Sequence, residues 1–184
     1  MGRRGMRGHS MSGAAKHPMK IPLTPGQAVT VHGWIRARRC LTWGDVLSND
    51  ALTFKFLLAT ARLPEQTLFT LQPDLDSWVK AERATLEDAP HMLAWGAHPI
   101  RDFRADLADL IRMGWSPDTF KRLGVSMDDL TGVGLTPDTM LLFGFTLHGW
   151  ATLGMTRAFA EKIPVHTLFR LFRVPRPDVL ASLR

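Results

Sequence analysis

The sequence predicts a mainly α-helical protein: a solenoid-like array of short two-turn helices behind a basic N-terminal arm, with at most one short strand or hairpin. Three observations lead there. From residue 114 a glycine recurs at every tenth place: Gly114, Gly124, Gly134, Gly144, Gly154. Two places after each comes a hydroxyl: Ser116, Ser126, Thr136, Thr146, Thr156. Apolar residues keep the same ten-residue period on both sides of the glycines, which is how an array of identical supersecondary units reads in sequence.

At 184 residues the chain has material for one sizeable core. Its 45% apolar and 22% charged content is that of a soluble globular protein. The longest largely apolar stretch, residues 140–145, is far too short to span a bilayer. The basic N-terminus lacks the apolar run of a secretory signal. A single cysteine, Cys40, excludes an internal disulfide framework and suits a reducing compartment. Charge is distributed unevenly. Residues 1–44 hold eight Lys/Arg and no acid; residues 45–138 hold nine against fifteen acids, −6; residues 139–184 hold six against two, +4.

Taken in order, residues 1–25 are rich in Gly, Ser, Pro and cations and predict a flexible basic arm. Residues 26–184 form a single helical domain. It opens on AVTVHGWIRARR, where Val29, Val31 and Trp34 with their β-branched neighbours predict a strand. Apolar spacing then turns helical. PEQTLFTL and PDLDSWV each begin with Pro and an acid, which predicts helix starts. DFRADLADLIRMG sets Phe103, Leu107 and Leu110 on one face and predicts one helix ending at Gly114.

Residues 112–184 carry the repeats, and WSPDTFKRLG is one unit. Ser116 is an N-cap, able to accept from an otherwise unpaired first-turn amide. Pro117 suits the first helical position, and Asp118 sets negative charge at the positive end of the helix dipole. Trp115 and Phe120 have the spacing of a hydrophobic staple. Gly124 ends the helix by taking the left-handed conformation. The register predicts seven units, the last two aligned on Val165 and on Leu180 in the place of Phe120. Helices this short are unstable alone, so each must bury its apolar face, chiefly on its neighbours.

The units LGVSMDDL, VGLTPDTM and FGFTLHGW resemble short helical repeats in proteins of large DNA viruses of amoebae and algae. LFTLQPDLDSWV and MLAWGAHPIRDFRADLADL resemble the segment that leads into them. The resemblance covers roughly residues 60–165 and implies a virion component, located in the virion and host cytoplasm. The departures are His148, where earlier units have an acid, and Pro164, where a glycine is due. A second, shorter resemblance links VTVHGWIRARR to the first strand of an OB-fold nucleic-acid-binding domain, through Val29, Val31, Gly33, Trp34 and Arg39. The further strands of such a barrel do not follow, because residues 53–60 go straight to helical spacing.

Catalytic signatures are sparse. GVG at residues 132–134 lacks the third glycine of a dinucleotide fingerprint, and GVSMD lacks the second glycine of a nucleophile elbow. His91 and His98 have no nearby cysteine, which argues against zinc. His148 and His166 read as surface or cap residues. Asp118, Asp128, Asp129 and Asp138 are explained by first helical turns. Of six tryptophans, Trp78, Trp115 and Trp150 read as core. The expectation is therefore a non-enzymatic structural protein, without cofactor or metal, that binds other protein subunits of a larger assembly and has neither membrane insertion nor a small-molecule substrate. The candidate contact residues are the cations Arg3, Arg4, Arg7, Lys16, Lys20, Arg36, Arg38 and Arg39. The alternative is a genome-packaging protein in which those cations bind phosphates non-specifically.

Overall fold

The computed structural model describes residues 41–183. The arm and the predicted strand at residues 29–34 lie outside them. Among the described residues the elements are all helical.

The leading half begins with α1 (Trp43–Leu47), whose cap Thr42 and Asp45 satisfy each other's backbone amides in a capping box. A π-turn at Phe56–Thr60 follows. The two predicted helix starts are present as α2 (Glu65–Leu71) and α3 (Leu75–Lys80), capped at Pro64 and Asp74. Two 3-10 segments, Leu86–His91 and Leu93–Trp95, lead into α4 (Pro99–Phe103). Phe54, Leu57, Leu68, Trp78 and Met92 are fully buried in this half. Phe54 meets Trp78 and Trp95 edge-on at 5.4 and 5.6 Å, the geometry aromatic quadrupoles prefer. Both indole N–H groups donate to one acceptor, the Gln72 carbonyl, at 2.9 and 2.8 Å. Buried Arg83 donates to the Val46 and Leu47 carbonyls at the end of α1 and to Asp50 at 2.6 Å.

One sequence expectation fails next. DFRADLADLIRMG is two helices, not one. Arg104 takes the left-handed conformation (φ 55°) and ends α4, and Asp106 caps α5 (Leu107–Met113). Arg104 and Asp106 stand ten residues before Gly114 and Ser116, so the array starts one unit earlier than the glycines announce. Asp does the work of Ser at a cap, while Arg at the glycine place hides the period.

From there run α6 (Pro117–Arg122), α7 (Met127–Gly132), α8 (Pro137–Phe143), α9 (Leu147–Thr152), α10 (Arg157–Glu161), α11 (Val165–Phe172) and α12 (Arg176–Ser182). All five predicted hydroxyl caps accept from the amide three residues on, at 3.2–3.3 Å. The five glycines have φ between 61° and 94°, a region that costs an L-residue about 1–2 kcal/mol. Trp115 and Phe120 pack edge-on at 5.7 Å, as the staple spacing predicts.

The register slips at the end. The caps of α11 and α12 are Pro164 and Pro175, eight and eleven residues after their predecessors. Val165 is therefore 55% exposed instead of buried, and Val179 replaces Leu180 in the place of Phe120. Counting from the true caps restores order. The fourth residue after each is Leu110, Phe120, Leu130, Met140, Trp150, Ala160, Leu168 and Val179, and none is more than 1% exposed. Each large member stabilises the fold by roughly 1.5–3 kcal/mol.

Packing also departs from the nearest-neighbour expectation. Helix α9 packs on α6 and α11 on α8, partners three units apart; α12 closes on α10 and α11. The amide of Met127, at the start of α7, donates to the Leu153 carbonyl at the end of α9, at 2.9 Å. Burial of the residue before each cap follows this period of three. Ala105, Val125, Leu135, Met155 and Ile163 are buried, whereas Trp115, Phe145 and Val174, three units apart, are half-buried.

Candidate interaction surface

Two hydrophobic clusters, one within the leading half and one formed by the repeats together with Ala89, meet at Phe103, which packs against both. His98 forms the polar side of this junction. It caps α4, its Nδ1 accepting from the Arg101 amide at 3.3 Å, while its own amide donates to Asp102 at 2.7 Å. Because Nδ1 accepts, Nε2 carries the proton, and it points toward Asp129 of α7 at 3.9 Å. Asp129 also receives the Ser126 hydroxyl at 2.6 Å and amide at 2.8 Å. That hydroxyl bond, aided by the Ser126 amide and by His98, holds the Asp129 carboxyl below its ordinary range. The ring of His98 lies against Gly124, whose place for a Cβ is 3.7 Å from Cδ2.

Two open depressions flank Phe103, with volumes of about 680 and 690 Å³. Trp95, Val79, Asp76, Lys80 and Arg101 line the first. Lys55, Glu87, Asp88, Asp109 and Arg112 line the second. Most of these charges are paired across the surface: Lys80 with Asp76, Arg101 with Asp102 at 3.1 Å, Lys55 with Glu87 at 2.7 Å and Arg112 with Asp109 at 2.6 Å. The Lys55 bond draws the Glu87 carboxyl below its usual range. Asp88 moves the other way: burial pushes its carboxyl up, opposed by bonds from the Thr85 amide and hydroxyl.

The predicted contact residues Arg3, Arg4, Arg7, Lys16, Lys20, Arg36, Arg38 and Arg39 all lie outside the described residues, as do Trp34 and Cys40. His148 and His166 are exposed, as read from sequence, and so are Asp118, Asp128 and Asp138 in their first helical turns. Trp78 and Trp150 are fully buried, while Trp115 is half-buried at its staple. Among the described residues no three His, Cys, Asp or Glu side chains are grouped to hold a metal ion, and no helix is long and apolar enough to cross a membrane. Sequence reasoning missed the junction role of His98 and the buried bonds of Arg83. For His98 the signal was present in the following Pro99, which marks a first helical position and so makes His98 the cap. Arg83 carries no such local signal, because its partners lie more than thirty residues away.

No protein-family model, curated protein or solved structure matches this chain.

Proposed function

We propose that this protein is a non-enzymatic structural component, binding neighbouring protein subunits through a solenoid-like helical array and a basic N-terminal arm. The observation that carries this reading is the buried column from Leu110 to Val179, eight successive units long. The hydroxyls and many of the acids of these units serve as helix caps or first-turn charges, and an extended outer surface is left for docking. Packing between units three apart supports a solenoid that returns on itself about every third helix. The resemblance of residues 60–165 to repeats of large DNA viruses supports a setting in the virion, as a minor capsid or scaffolding component.

One feature favours a second reading, non-specific nucleic-acid binding. The first 44 residues carry eight cations and no acid. Duplex DNA titrated by fluorescence anisotropy at several salt concentrations separates the two. The scaffold reading expects no binding near physiological salt. Tight binding that falls steeply with salt, and is abolished by combining Arg3→Glu, Arg4→Glu and Arg7→Glu, would establish genome packaging instead.

A further inference from the structure

The first residue of a repeat helix can be covered by a later unit. In α6 this residue is Pro117, and α9 sits over it with Gly149 so close that an added Cβ would lie 2.7 Å from the proline Cγ. Met127, at the same place in α7, is buried, and Pro137 and Leu147 in α8 and α9 are half-buried. Arg176, which opens α12, is half-buried too, so α10 and α11 are the exceptions. Arg157 opens α10 exposed, and Val165 opens α11 at 55% exposure, with Phe169, one turn on, at 50%. These are the surfaces on which a unit three further along would stack. On α11 two large apolar side chains occupy that place, an apolar patch of the kind that marks an interaction site.

The rim is basic. Arg157 is paired with Glu161 at 2.9 Å, whereas Lys162, Arg170 and Arg173 have no carboxylate within ion-pair distance among the described residues. We propose that this exposed face of α11, centred on Val165 and Phe169, is a docking site for an acidic amphipathic helix of a partner protein. The proposal rests on the scaffold reading and names the partner's chemistry. Charge selects this occupant over the nearer alternatives. The chain's own first 44 residues bring eight further cations. A second copy meeting end to end would set one basic rim on another. Geometry adds a requirement for a small side chain at closest approach. The covering helix α9 presents Gly149 there.

The test uses the full chain and fluorescently labelled, lactam-bridged helical peptides with leucines at i and i+4, alanine between them, and flanking glutamates or lysines. Anisotropy is expected to show the glutamate peptide binding at least tenfold more tightly than the lysine peptide. Val165→Asp and Phe169→Asp should each weaken it at least tenfold without changing the circular dichroism or melting temperature, since both side chains are exposed. Leu142→Asp, on α8 and 64% exposed, should leave binding unchanged. Equal affinity for both peptides, or no binding of either, overturns the proposal. So does a concentration-dependent dimer in sedimentation that Phe169→Asp abolishes, since a second copy would then cover the face. The DNA titration is an independent readout: a positive result there removes the scaffold reading without altering the peptide result.

Discussion

At the scale of single residues, two glycines separate two kinds of constraint. Gly134 has φ 94° and open space around the position of a Cβ, so its requirement is purely conformational. Gly134→Ala is expected to cost about 1–2 kcal/mol and Gly134→Val more, with a matching fall in melting temperature. Asp138→Asn in the next helix, which removes only a charge near the dipole, should cost less than about 1 kcal/mol. Equal tolerance of both changes would count against the capped-unit account. Gly149 is the opposite case, a helical glycine whose Cβ would overlap Pro117. Alanine has the better helix propensity by about 1 kcal/mol, yet Gly149→Ala is expected to destabilise by about 1–3 kcal/mol through overpacking. Adding Pro117→Ala should recover part of that loss in a double-mutant cycle; strict additivity would show that the two helices do not press on each other. Trp150 carries a cost of its own, since its buried indole N–H has no partner among the described residues.

At the scale of helices, the capping boxes of α7 and of the Leu86–His91 segment respond oppositely to pH. Asp129 is depressed by the Ser126 hydroxyl. Its contribution is therefore present above the unfolded value of about 3.9 and is lost as pH falls through the lower folded value. Asp88 is raised by burial, so stability is highest below the unfolded value and declines as pH rises through the folded one. Melting temperatures measured from about pH 2.5 to 6 should show Asp129→Asn growing more harmful with pH relative to the parent protein, because the advantage it removes is an ionised one. Asp88→Asn should grow less harmful, since one amide oxygen can accept both Thr85 bonds while the buried charge is gone. Parallel curves would disprove the assignment. The helix ends at Arg104 and Arg173, left-handed without glycine, predict a gain: Arg104→Gly should stabilise by up to about 1 kcal/mol.

At the scale of the molecule, packing ties units three apart as well as neighbours. Phe120 contacts Phe143 and Phe145 at 6.0 Å, and these meet Trp150 at 5.6 and 5.0 Å. Phe120→Ala should cost about 3–5 kcal/mol. In amide hydrogen exchange it should lower protection in α9 more than in the sequence-adjacent α7, as local unfolding follows packing rather than chain order. Uniform loss of protection along the array would refute the three-unit linkage.

Caps, glycines and the buried residues of the central units were legible because each is local: a hydroxyl reaches an amide three residues away, and a left-handed residue satisfies its own turn. The extra unit at Arg104 was hidden because a cation occupies the glycine place. The slipped register after Ile163 was hidden because proline resets the cap. The sequence by itself determined the helical class, the period and the face each central helix buries. Only the tertiary structure decided which unit covers which, the seating of His98 between the two halves, and the open face at Val165 and Phe169. These depend on contacts between residues some thirty positions apart, about which spacing within one helix carries no information.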